Sequence, residues 1–352
     1  MKKIEELDKN FLVNENIRTE NVKVYDIFEE PFKTYGYANL DEGGFSRIPK
    51  DIAKTVNQGV YYMRANPAGV RIRFATDSKY IAIYVKVGSV GRSSHYPLTG
   101  SAGFDLFAEV DGVQKYIKTF IPKYDVKDIL TAEIITGDVG MREYTINFPN
   151  GGNITDMNII LDETAVVKAP RPYKISKPVV FYGSSITHGY CASRPGNVYS
   201  SMLSRKYDFD FINLGFSGCA KGEKEMAEYI ASLDMSVLVY DYDHNAPTAE
   251  YLKETHYPFY KIIREKHPNL PIICMTRPYP NYAPDDKRPK TILETVEKAQ
   301  SAGDKNIYFV NTCQEIVDMG IANDCTVDGC HPNDLGFYGM ARALEKVLDK
   351  IL

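Results

Sequence analysis

Tryptophan is absent from the 352-residue chain, so any aromatic platform for a ligand must be built from its 26 tyrosines or 16 phenylalanines. An excess of positive charge is absent too. The formal net charge is -4 and the pI about 5.9, which leaves no basic field to hold nucleic acid or an anionic membrane surface. No apolar run approaches the ~20 residues of a membrane span, and Met1-Lys2-Lys3-Ile4-Glu5-Glu6-Leu7-Asp8 lacks the apolar centre of a signal peptide. The expected location is therefore cytoplasmic. Internal repeats and low-complexity segments are missing as well.

Cysteine is scarce and one-sided. All six (Cys191, Cys219, Cys274, Cys313, Cys325, Cys330) lie in the second half, and none has the C-x-x-C spacing of a zinc or redox motif. Free thiols in a reducing compartment are the expectation. In an exported chain, Cys325 and Cys330, which bracket Asp328, would be the first candidates for a disulfide. Histidines and acids show no metal-ligand spacing, so neither metal nor cofactor is expected. Asp241, Asp243 and Asn245 imitate the start of a calcium loop, but Ala246 and Leu252 stand where that loop needs glycine and a bidentate glutamate.

Against these absences stands a chain longer than the roughly 250 to 300 residues at which one core stops growing, so two domains are expected. Residues 1–175 carry short alternating segments, Val70 to Thr76 and Tyr80 to Val87, with Asp77-Ser78-Lys79 as the turn between them. Asp111-Gly112 is a two-residue hairpin signal between Ser101–Val110 and Gln114–Phe120. Tyr144 to Phe148 and Met157 to Leu161 add strands around Pro149-Asn150-Gly151-Gly152. With almost no helical periodicity, this half reads as an all-β sandwich of jelly-roll type. After the connector Lys168-Ala169-Pro170-Arg171-Pro172-Tyr173-Lys174 the texture changes. Strands near 178–182, 209–214, 235–241, 271–276 and 306–310 alternate with helical stretches, which predicts an α/β three-layer, flavodoxin-like domain over 176–352 with a five-stranded parallel sheet.

The chemistry-bearing residues cluster at strand ends. Pro178 to Tyr182 is an apolar strand that stops at Gly183-Ser184-Ser185-Ile186-Thr187-His188, placing Ser185 on the rim where open parallel sheets bind ligands. A serine there is also an ordinary helix cap. The other end of the chain changes that balance, because Val327-Asp328-Gly329-Cys330-His331-Pro332 offers an acid and a histidine three apart, and Pro332 keeps His331 extended. A hydroxyl nucleophile needs a base, the base needs its tautomer held, and the oxyanion needs N–H donors. Two further loops follow strands, Asn213-Leu214-Gly215-Phe216-Ser217-Gly218-Cys219 and Tyr240-Asp241-Tyr242-Asp243-His244-Asn245.

With these four stretches together, residues 176–352 resemble the SGNH (GDSL-type) esterase superfamily in order and spacing, and the first half looks like the jelly roll of one bacterial branch. The resemblance implies Ser185 as nucleophile, His331 as base, Asp328 as its orienting acid, and Ser185, Gly218 and Asn245 as oxyanion donors. Two positions depart from the pattern. Ser184 replaces the usual aspartate, and Asp243-His244-Asn245 lacks its leading glycine, which leaves His244 as the alternative donor and a helix cap as the alternative role for Asn245. Three residues after Ser185, His188 is expected to make a structural hydrogen bond, and His95, His256 and His267 are expected at the surface without partners. The implied activity is a carboxylic ester hydrolase acting on a small, acetyl-type ester of an oligosaccharide or other small molecule. The alternatives are a catalytically impaired carbohydrate-binding protein and an acyltransferase.

Overall fold

A computed structural model of the protein describes residues 4–8, 11–278 and 286–352. In its first half, two antiparallel sheets face each other. One runs in the order Val22–Asp26, Asn153–Asp162, Tyr80–Ser89, Ile129–Ile135; the other in the order Val167–Lys168, Arg71–Thr76, Arg142–Asn147, Phe104–Val110, Val113–Phe120. Side chains alternate across each strand, so Ile72, Phe74, Ile81, Ile83, Leu106, Ile146 and Ile159 meet in one apolar core between the sheets. The Asp111-Gly112 hairpin forms as its residue types require, with φ of +55° and +75°. Asp77-Ser78-Lys79 does not close a hairpin, because the strands on either side of it enter opposite sheets.

The second half is a parallel sheet in the order Phe209–Gly215, Ile175–Gly183, Val237–Asp241, Ile272–Met275, Ile307–Val310. This is the doubly wound order 2-1-3-4-5, whose topological switch lies between the first and third strands. Helices Lys224–Ala231, Ala249–Lys266 and Arg288–Ser301 cover one face, and Tyr199–Tyr207 and Asp334–Ile351 the other. Among the described residues no helix is long and apolar enough to cross a membrane.

Two helices in the first half, Lys50–Val56 and Gln58–Met63, were not visible as periodicity. Their apolar residues are too few to make a stripe of their own. Ala53, Val56 and Val60 instead join Leu214, Phe216 and Met226 in the core of the parallel-sheet half. Arg47 fastens the same junction. Fully buried, its guanidinium donates to the carbonyls of Asn213 (2.9 Å), Gly215 (2.8 Å) and Met63 (2.9 Å) and lies over the Phe216 ring. Arg47→Ala is expected to lower stability by roughly 3 kcal/mol or more, since three buried carbonyls lose a charged donor. An unchanged denaturant midpoint would show that the junction contributes little.

Candidate active site

The strand Ile175–Gly183 ends at the switch point, and a one-turn helix, Ser185–His188, follows it. Ser184 caps that helix, its hydroxyl accepting from the Ile186 N–H at 3.2 Å, so the capping role falls on Ser184 and the Ser185 hydroxyl is left for other partners. Gly183 is required here. A Cβ at this position would lie 1.7 Å from Asp241 Oδ1, which is hydrogen-bonded to the Thr187 hydroxyl. Burial pushes the Asp241 carboxyl well above the usual carboxylate range, against the Thr187 hydrogen bond. The position before Ser185 thus lacks an aspartate, yet an aspartic side chain reaches the same turn from the neighbouring strand.

Ser185 is 7% exposed, and its Oγ lies 3.0 Å from His331 Nε2. On the other side of the ring, His331 Nδ1 is 2.7 Å from Asp328 Oδ2. Asp328 Oδ1 accepts the backbone N–H groups of His331 (2.7 Å) and Cys330 (3.0 Å). Partial burial opposes ionisation of Asp328, but these bonds and the imidazole outweigh it and hold the carboxyl below its usual range. The loop is closed by the Val327 N–H donating to the His331 carbonyl and by a bridge between Thr326 and Pro332, with Gly329 at φ +80°. Asn333 then caps the last helix through the Gly336 N–H. The arrangement can pass a proton from the Ser185 hydroxyl to an imidazole whose tautomer is set by an ionised carboxylate.

Gly218 has φ +69° and open space where a side chain would project. The Asn245 side chain donates from Nδ2 to the Phe216 carbonyl at 3.1 Å, which ties it to the loop carrying Gly218. That acceptor must face an N–H, so the amide orientation follows and its second N–H remains available. Asn245 does not cap the following helix. Thr248 does, accepting from the Tyr251 N–H. His244 lies against a thiol instead, its Nε2 2.9 Å from Cys330 Sγ, and burial first, then Arg277 and His331, pull its pKa down to about 4.

The remaining histidines divide. His188 makes the expected structural contact, Nδ1 to the Ser217 hydroxyl at 3.1 Å, and burial and the Arg47 charge keep it neutral. His256 is buried beneath Tyr240 and bonded to Thr295, contrary to the surface placement expected of it. His267 bonds the Ala231 carbonyl. The larger correction concerns His95, which is no isolated surface residue. It reaches from the first half to within 3.6 Å of Asp328 Oδ2, and its ring neighbours His331 and Tyr190. Tyr190 packs against His331 at 5.0 Å and against Tyr96 at 4.7 Å. Nothing in the local sequence around His95 or Tyr190 signals this contact. Asp241 and Asp243, the imitation calcium loop, turn inward to Thr187 and to the Arg277 N–H. Cys191, Cys219, Cys274, Cys325 and Cys330 are free thiols, and those of Cys325 and Cys330 contact different partners, Ala322 O and His244.

Residues 176–349 match the GDSL-like lipase/acylhydrolase family, and residues 22–167 match the N-terminus of SGNH-hydrolase-type esterases, named GxDLY. The chain belongs to the GDSL-like lipase/acylhydrolase family. Within this acylhydrolase the GxDLY pattern falls on Gly103-Phe104-Asp105-Leu106-Phe107, with phenylalanine in the last place. Fully buried Asp105 accepts from Arg194 (2.9 Å), the Gly196 N–H (2.7 Å) and Asn147 (2.8 Å), joining the sandwich to the loop beyond Ser185. A GDSL-like lipase assignment from Bacteroides ovatus is 28% identical over 94% of this chain and 98% of its own, with a TM-score of 0.83. The salicylyl-acyltransferase of a tetracycline biosynthetic pathway has the same fold at 19% identity, with coverage of 95% and 98% and a TM-score of 0.76. So does a family two carbohydrate esterase from Clostridium thermocellum in complex with cellohexaose, at 14% identity, coverage of 80% and 93% and a TM-score of 0.58. No curated protein matches the chain.

Proposed function

We propose that this acylhydrolase is a serine esterase that removes a small acyl group, acetyl in our reading, from a carbohydrate or similarly hydroxylated alcohol. The observation that carries the proposal is the continuous line of hydrogen bonds from Ser185 through His331 to Asp328 at the switch point of the sheet. Ser185 Oγ attacks the ester carbonyl while His331 Nε2 takes its proton, and the same imidazole then protonates the departing alcohol. Water repeats the sequence on the acyl-enzyme. The developing oxyanion is bound by the N–H groups of Ser185 and Gly218 and by the free N–H of the Asn245 amide. The sugar part of the proposal draws on carbohydrate esterases of the same architecture, one of them holding cellohexaose. Turnover of p-nitrophenyl acetate against longer-chain esters and acetylated oligosaccharides tests it; activity confined to long-chain esters would reject the small acyl group.

Acyl transfer is the second reading, favoured by the salicylyl-acyltransferase whose fold matches across both halves. A nucleophilic alcohol added to the assay separates the two. Acylated alcohol forming at the expense of free acid means transfer. An impaired binding protein, the remaining alternative, would show no turnover of any ester.

The Asn245 assignment predicts its own result. Asn245→Ala should lower kcat by roughly 10²- to 10³-fold with little change in KM, because the bond to the oxygen strengthens mainly in the transition state. His244→Ala should be far milder. A hundredfold loss in His244→Ala with a mild Asn245→Ala would transfer the donor role to His244.

A further inference from the structure

Beside the Ser185–His331 pair lie two side chains, His95 and Cys191, that have no part in the chemistry proposed above. Ligand atoms of His95, Cys191 and His331 all lie within 4.8 Å of one another, and those of Asp328, Cys330 and His331 form a second group sharing the same imidazole. His95 arrives from the sandwich, Cys191 from the loop after the one-turn helix, and His331 from the far end of the chain. Cys191 is buried at φ +71°, a conformation that residues with a side chain rarely adopt, and its thiol is among the free ones. His95 is partly exposed and opens the group to solvent.

We infer that His95, Cys191 and His331 form a binding site for a borderline-soft divalent cation of the zinc type, with solvent in the fourth position, and that occupation of this site switches the esterase off. Two imidazoles and one thiolate, with a water completing the tetrahedron, are a donor set that zinc accepts. With metal–ligand bonds of about 2.0–2.3 Å, tetrahedral ligand atoms lie roughly 3.5 Å apart, so rotamer adjustments on the order of 1 Å close the group. Binding exchanges the Cys191 S–H proton, released to solvent, for an S–metal bond, with no change of oxidation state.

Either ring nitrogen of His331 serves the inference. Coordination through Nε2 takes it from the Ser185 hydroxyl, and coordination through Nδ1 takes it from Asp328, so the proton path breaks in both cases. The inhibitory consequence rests on the esterase reading, whereas metal binding itself does not.

The test uses the full-length chain stripped with a chelator, Co²⁺ as optical probe, and Zn²⁺ as competitor and inhibitor. One equivalent of Co²⁺ should produce a thiolate-to-cobalt charge-transfer band that Zn²⁺ abolishes. Cys191→Ser should lose the band, Cys330→Ser should keep it, and exposed His95→Ala should weaken Co²⁺ binding at least about tenfold. Zn²⁺ should suppress p-nitrophenyl acetate turnover reversibly, and Cys191→Ser and His95→Ala, each compared with its own metal-free rate, should need at least about tenfold more Zn²⁺. No band, a band that follows Cys330 rather than Cys191, a band without zinc inhibition, or equal inhibition of all variants would overturn the inference. A band in a protein with no metal-free turnover would keep the site and remove the esterase reading.

Discussion

Ser185→Ala is expected to lower kcat by at least about 10³-fold while leaving the thermal midpoint close to wild type. Ser185 Oγ makes its hydrogen bond to His331 and caps nothing, since Ser184 holds the helix N-terminus, so its loss removes the proposed attacking atom without removing a structural bond. The proposed oxyanion donors, two backbone N–H groups and the Asn245 amide, are not touched by the substitution. The residual rate should therefore stay above that of water alone. Labelling by an organofluorophosphonate, followed by mass spectrometry, should modify wild type at Ser185 and leave Ser185→Ala unmodified. Modification that persists at Ser184 would move the nucleophile by one residue.

His331→Ala should be nearly as damaging as Ser185→Ala, and Asp328→Asn less so, because residues acting as one unit are not additive. The physical reason for the Asp328→Asn loss lies in its two oxygens. Oδ1 is held by the His331 and Cys330 N–H groups, so an amide at this position would turn its NH₂ toward His331 Nδ1. Two donors would then face each other, and the imidazole would shift its proton to Nε2, where it cannot accept from Ser185. The Asp328 carboxyl is held below its usual range, so its contribution is present above the ordinary carboxylate pKa and is lost only as pH falls through the depressed value. Asp328 should therefore impose no loss of kcat/KM between pH 5 and 8. A wild-type profile that falls as pH rises through that window would count against a neutral imidazole as base.

The legible parts of this protein depend on neighbours in the chain. Val179 to Tyr182 followed by Gly183 reads as a strand meeting a tight turn, because apolar run and stop are contiguous. Asp328 and His331 read as a pair because their bond closes a three-residue loop, and Asp111-Gly112 reads as a hairpin because φ is positive at both residues. The alternation at Val70–Thr76 marks a strand correctly, but not the fate of its outward residues. Arg71 and Arg73 are buried because the strand's outer face packs against Tyr173 and Phe211 across the junction.

Legible in the sequence, then, were the alternation of strands and helices over 176–352, the residue types at the strand ends there, and the spacing that puts Asp328 beside His331. Short-range sterics, hydrogen bonding and hydrophobic periodicity act over a few residues and leave a pattern there. Tertiary packing decided that Asp77-Ser78-Lys79 joins two sheets, that Lys50–Val56 and Gln58–Met63 complete the core of the other half, and that the acidic side chain at the Gly183–Thr187 turn is Asp241. It also decided that His95 and Cys191 meet His331. Each of these depends on packing between segments far apart in sequence, where burial and shape select the partner and no local periodicity records the choice.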